Sequence, residues 1–206
     1  MDGMAMLGRY VHLFRALDRI GRSGRKHLVF LEVGTYDGVR ASQLLSTWLK
    51  DSAGRTAHYI GFDLFELCTP EIARAELSKE RLPPRESEVK LRLLATGAQV
   101  TLFKGFTRDR LVPWSKHTDI RPDLIFLDGG HSLDTVASDW GAVARVMGPH
   151  TLVLLDDYYE GRDDFGCRPL VNGLDRERYQ VVLLDPVDHF THTGLDIRMV
   201  EVTLRP

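Results

Sequence analysis

Five short apolar runs, separated by segments long enough to be helices, constrain this chain more than any other feature. They are His27 to Val33 (HLVFLEV), His58 to Asp63 (HYIGFD), Gln99 to Lys104 (QVTLFK), Asp123 to Asp128 (DLIFLD) and Thr151 to Asp156 (TLVLLD). Runs of this length and apolarity fit strands covered on both faces rather than lone helices. Between them, Val39 to Lys50, Pro70 to Ala95, Arg108 to Trp114 and Leu133 to Met147 read as crossover helices. Strands alternating with helices imply right-handed βαβ units and a doubly wound α/β fold around a mostly parallel sheet.

The two ends of the chain refine this. Leu7, Tyr10, Val11, Phe14, Leu17 and Ile20 recur at three- and four-residue steps, which gives an amphipathic N-terminal helix within residues 1–25. Tyr179 to Leu184 and Leu195 to Leu204 read as two further strands, joined by the Pro-, His- and Gly-containing residues 185–194. A parallel pair needs a crossover of roughly a dozen or more residues, usually helical, so these two strands are expected to be antiparallel. The expected sheet therefore has seven strands, ending in an antiparallel C-terminal hairpin. Residues 64–98 exceed what a crossover needs and contain Pro70, Pro83 and Pro84, so an inserted helical lid is expected there within one domain of residues 1–206.

Composition removes several functional classes. With 27 basic and 29 acidic residues the formal charge is −2, which offers no broad electropositive surface for a phosphate backbone. The run Arg22, Arg25, Lys26 is short and reads as a solvated turn. Two distant cysteines, Cys68 and Cys167, have no zinc, redox or disulfide spacing. Neither a membrane span nor a charged-then-apolar leader is apparent, so a cytoplasmic location and no membrane or nucleic-acid partner are expected. Pairing through the N-terminal helix or a sheet edge would make a homodimer.

The candidate chemistry sits at the ends of the runs. Leu31-Glu32-Val33-Gly34-Thr35-Tyr36-Asp37-Gly38 closes the first strand and opens a helix, placing two glycines where the chain must turn tightly near a ligand. The spacing E-x-G-x-x-x-G is not the G-x-G-x-x-G of pyrophosphate binders. Asp63 ends the second strand 29 residues after Gly34, where a carboxylate can accept hydrogen bonds from both hydroxyls of a ribose. The fourth run ends in Asp128, and the fifth in the pair Asp156 and Asp157; ligands of open α/β sheets bind outside these strand ends. Three carboxylates converging there raise one another's pKa unless a cation neutralises them, and a hard divalent ion, most simply magnesium, fits oxygen donors. His131 follows Asp128 past two glycines, so its imidazole can turn back over the crevice and take a proton from a hydroxyl.

The glycine loop resembles the first motif of class I S-adenosylmethionine-dependent methyltransferases, which also end a parallel sheet with an antiparallel hairpin. Asp128-Gly129-Gly130-His131 together with Asp156-Asp157 is similar to the metal-dependent sugar O-methyltransferases of the macrocin and mycinamicin type and the related cephalosporin hydroxylases, from about Lys26 onwards. Some relatives carry glutamate where Asp156 stands. The resemblance implies a Rossmann-like methyltransferase fold, with S-adenosylmethionine held by Glu32, Gly34, Tyr36, Asp37, Gly38 and Asp63, and its adenine flanked by Gly105 and Phe106. It further implies Asp128, Asp156 and Asp157 as ligands of magnesium, and His131 as base; Asp128 also counts as a catalytic and cofactor-contacting residue. The expected activity is O-methylation of a small-molecule hydroxyl acceptor: a sugar, a natural product or a catechol-like diol. Two other readings predict different sequences. A nicotinamide-dependent oxidoreductase would carry G-x-G-x-x-G, and a non-catalytic cofactor-binding protein has no need of Asp128, His131, Asp156 and Asp157 together.

Overall fold

The computed structural model describes residues 5–50, 53–77, 82–191 and 194–206. Its first five strands are β1 (His27–Val33), β2 (Thr56–Asp63), β3 (Gln99–Lys104), β4 (Leu124–Leu127) and β5 (Leu152–Tyr159). The last three are β6 (Tyr179–Leu183), β7 (Asp188–Phe190) and β8 (Leu195–Leu204). They form one sheet in the order β3-β2-β1-β4-β5-β8-β6, with β7 pairing the early part of β8. The strands from β3 across to β5 are parallel, and β8 runs antiparallel to both β5 and β6. The α/β class, the parallel body and the antiparallel C-terminal pair are as expected. The described strands number eight rather than seven, because the linker between β6 and β8 itself pairs as β7.

Two apolar layers enclose the sheet, and strand alternation decides which side chain joins which. Leu28 and Phe30 of β1 pack with Leu152 and Leu154 of β5 under α1 (Val11–Arg22), α2 (Val39–Lys50) and α4 (Glu86–Leu94). Leu31 and Val33 pack with Val153 and Leu155 under α5 (Thr107–His117), α6 (Leu133–Val146) and α7 (Arg168–Asn172). Ser132 caps α6, its hydroxyl accepting from the Thr135 backbone N–H. The N-terminal helix is preceded by a 3₁₀ segment, Ala5–Tyr10, which kinks at Gly8. Within residues 64–98, α4 buries Val89 and Leu93 in the first layer and so acts as a crossover, whereas α3 (Pro70–Leu77) lies beside the carboxyl edge of the sheet. Among the described residues no helix is long and apolar enough to cross a membrane.

Candidate active site

The chain leaves β1 towards β2 on one side and returns as β4 on the other, so the carboxyl edge opens at β1 and β4, where open α/β sheets take ligands. A crevice of about 950 Å³ lies there, at the upper end of the range for small-ligand sites. Its wall includes Glu32, Gly34, Tyr36, Asp37, Asp63, Gly105, Phe106, Asp128, His131 and Asp157. Of the residues expected from sequence, Gly38 and Asp156 lie off this wall.

One end of the crevice is built by the turn after β1. Gly34 has φ of 88° and accepts no side chain, since a Cβ would stand 1.9 Å from the carbonyl oxygen of Asp128. Its N–H donates to Phe62 O on β2, so the turn is pressed between the neighbouring strands. Gly38 has φ of 68° and abuts Val89 of α4, which gives it a packing role at the start of α2. Asp37 accepts the Val39 backbone N–H at 3.0 Å and shapes the same helix entrance. Asp63 accepts from the backbone N–H groups of Tyr36 and Phe65, each at 2.7 Å, using one oxygen for each. Burial raises its pKa and these bonds oppose that rise. A carboxylate has about four acceptor positions, so Asp63 keeps capacity for hydroxyl donors. Glu32 is 3% exposed and accepts a short hydrogen bond from the Tyr59 hydroxyl. Burial pushes its carboxyl up to about 8. Gly105 bonds through its N–H to Asp63 O, and Phe106 projects half-exposed at the start of α5.

The other end gathers the polar groups of β4 and β5. Asp128, His131 and Asp157 each present a ligating atom within 4.8 Å of the others. His131 Nε2 stands 2.7 Å from Asp157 Oδ2. The Tyr159 hydroxyl donates to Asp157 Oδ1 at 2.8 Å and lies 3.3 Å from His131 Nδ1, locking the three together. Phe165 meets the imidazole edge-on at 5.4 Å. Burial and the charges of Asp156 and Asp157 hold the Asp128 carboxyl well above the usual range. Burial pulls in the same direction on Asp157, yet His131 and Arg9 outweigh it and lower its pKa. Burial alone would depress His131, but the bond to Asp157 raises it instead.

Asp156 departs from its expected ligand role. In β5, Leu152 and Leu154 face the layer under α1, and Asp156 continues that alternation on to the same face. There its carboxylate receives the Arg9 guanidinium at 2.5 and 2.9 Å. By the same alternation Asp157 follows Val153 and Leu155 on the opposite side, and the strand bulges there, between Leu155 and Tyr158, with Asp157 at φ of 60°. The pair reads as one unit in sequence, but Asp156 is committed to Arg9 and Asp157 to His131. Arg9 and Tyr159 carry no motif signal in the sequence, their partners being set by strand pairing and by the docking of the N-terminal segment.

The loop carrying His131 is fixed from both sides. Its N–H donates to Glu76 O of α3 at 2.8 Å, and its carbonyl accepts from Gly166 N–H at 2.8 Å. Ser132 Oγ and Thr135 Oγ1 both donate to Glu76 Oε1, at 3.0 and 3.2 Å. Beneath the loop, Asp139 is 3% exposed with one oxygen that lacks a partner, and it lines a small pocket of about 20 Å³, room for a single water.

A family model described as a methyltransferase domain matches residues 31–158, which span β1 to β5 with the glycine turn and both carboxylate-bearing strand ends. Among solved structures, the O-methyltransferase TomG from Streptomyces achromogenes, involved in tomaymycin synthesis and in complex with SAM, is 14% identical at a TM-score of 0.58; the match covers 93% of this chain and 79% of that one. An O-methyltransferase from Bacillus cereus in complex with SAH is 16% identical at a TM-score of 0.56, covering 93% and 80%. An rRNA methylase from Streptococcus thermophilus is 11% identical at a TM-score of 0.57, covering 93% and 95%. No curated protein matches the chain. Neighbours with such different acceptors speak for the fold and leave the acceptor to the site itself.

Proposed function

This chain belongs to the methyltransferase-domain family, and we propose that it is an S-adenosylmethionine-dependent O-methyltransferase acting on a small-molecule hydroxyl. The observation that carries the reading is the division of one continuous crevice. The glycine turn, Asp63 and Glu32 line one end, and Asp128, His131 and Asp157 the other. About 950 Å³ is enough for a nucleoside cofactor and an acceptor together.

When bound, S-adenosylmethionine supplies the methyl group from its sulfonium and leaves as the homocysteine thioether. Gly34 lets the backbone approach the amino-acid end, Asp63 takes the ribose hydroxyls, and Gly105 and Phe106 border the base. The acceptor oxygen must lie in line with the methyl carbon and sulfur, and its proton must leave as the new O–C bond forms. Asp157 accepts from His131 Nε2–H, leaving Nδ1 as the basic atom that takes this proton. Tyr159, bonded to Asp157, holds the geometry in place. Helix α3, pinned through Glu76 to the His131 loop, covers the acceptor in the manner of a lid.

The donor set fits a divalent cation. Asp128 and Asp157 would hold it, since a half-buried and a buried carboxylate beside Asp156 leave the cluster short of positive charge. Such a cation would orient a vicinal diol or catechol-like acceptor and lower the pKa of its hydroxyl.

The test is calorimetric titration with S-adenosylhomocysteine, followed by a screen of diol and catechol acceptors for thioether release with and without magnesium. Saturable binding and turnover are expected. His131→Ala should cut turnover by at least ~100-fold while cofactor affinity stays within a few-fold. Absence of homocysteine-compound binding overturns the cofactor assignment, and equal loss of that binding in the variant overturns the role given to His131.

A further inference from the structure

Arg9 is 6% exposed at the metal end of the crevice, an unusual place for a guanidinium from the N-terminal segment. Two of its nitrogens engage Asp156, at 2.5 and 2.9 Å. Its remaining guanidinium nitrogen, Nη1, donates to Asp188 Oδ2 of β7 at 2.7 Å, and its backbone N–H donates to Asp188 Oδ1 at 3.0 Å. Gly8 makes the approach feasible, since a Cβ there would meet Asp188 Oδ1 at 2.4 Å. Tyr10, the next residue, stacks under the Arg40 guanidinium at 3.5 Å and packs edge-on against Phe126. The segment is therefore fixed on each side of Arg9.

We propose that Arg9 is a resident counter-cation which takes Asp156 out of the metal site and restricts the ligand set to the carboxylates of Asp128 and Asp157. The proposal rests on the metal-site reading above. A planar guanidinium matches a carboxylate through two parallel bonds, so Asp156 has both oxygens committed. A second consequence is electrostatic: a fixed positive charge beside the site repels an incoming divalent ion and weakens its binding. The protein thus binds its cation more loosely than three free carboxylates would.

The experiment is titration of the full chain with Mn²⁺, by calorimetry and electron paramagnetic resonance, in wild type, Arg9→Gln and the double variant Arg9→Gln/Asp156→Asn. Glutamine retains a donor for Asp156, and the double variant keeps the site free of an unpaired buried charge. Binding of S-adenosylhomocysteine reports whether each variant keeps its cofactor site. Arg9→Gln should bind Mn²⁺ at least tenfold more tightly than wild type, with a larger metal-induced rise in Tm, and the double variant should return to within about threefold of wild type. Unchanged or weaker binding in Arg9→Gln overturns the proposal by showing that Arg9 does not limit the site, and a tenfold loss in the double variant overturns it by showing Asp156 to be a ligand in the wild type. If wild type binds no Mn²⁺ but Arg9→Gln does, the metal reading fails while Arg9 stands as the cation in its place. If neither binds while both retain the homocysteine compound, both ideas fall.

Discussion

Asp139 shows how far a single side chain can shift stability. It is buried with one oxygen lacking a partner, and burial pushes its carboxyl up to about 7. An unfolded chain releases that proton near a pH of about 4. Between those values the folded state holds a proton the unfolded state has lost, so folding stability falls as pH rises through this window, and is flat outside it. Asp139→Asn should remove the dependence. Urea unfolding at pH 4.5 and pH 7.5 checks it: the variant should gain on wild type by on the order of a few kcal/mol across the interval. A constant difference would mean that Asp139 is ionised in the fold. At this scale the sequence was informative where chemistry follows directly on a strand end. Asp63, Asp128 and His131 were placed because strand, turn and residue are contiguous. Arg9, Tyr59, Glu76 and Tyr159 were not, since each matters through a partner brought close by folding; Arg9 meets Asp156 across 147 positions.

Elements were more legible than contacts. Apolar runs located every strand of the parallel body, and the short linker after β6 correctly implied an antiparallel return. Two features escaped. β5 runs on to Tyr159, because its last residues are polar and aromatic and break the apolar pattern that marked its start. β7 has three residues in a linker with no strand composition, and exists because β8 offers it an edge. Both lie where the site is made, and strand alternation in β5 turns Asp156 and Asp157 to opposite sides. The glycine turn gives a prediction at this scale. Gly97 and Gly34 both have φ of 88°, but a Cβ at Gly97 meets nothing within 4 Å, whereas one at Gly34 runs into the Asp128 backbone. Gly97→Ala should cost only the ~1–2 kcal/mol of left-handed strain. Gly34→Ala must shift the backbone as well, and should cost more than ~3 kcal/mol and abolish S-adenosylhomocysteine binding. Similar denaturation midpoints for the two variants would refute the close approach of β1 and β4.

On the scale of the whole molecule, the first and last parts of the chain close the same crevice. The segment before α1 reaches Asp156 in the middle of the sheet and Asp188 on the late strand β7, 179 residues away in sequence. The bond to Asp188 needs β7 in place on β8, so this closure depends on contacts of high sequence separation. Tyr10 packs against the apolar layer under α1, whereas the bonds from Arg9 to Asp188 are polar contacts outside it. Asp188→Ala tests whether the segment opens independently of the sheet. It removes both bonds to Arg9 but leaves the paired Asp156 in place. Amide hydrogen exchange of residues 8–10 should then accelerate by about tenfold or more, while amides of β1 and β4 keep their protection and global stability changes by less than ~1 kcal/mol. Exchange that stays slow at residues 8–10 would show that Asp156 alone anchors the segment. Loss of protection in β1 as well would show that closure and sheet are one cooperative unit, and the N-terminal segment would then be part of the fold rather than a cover placed upon it.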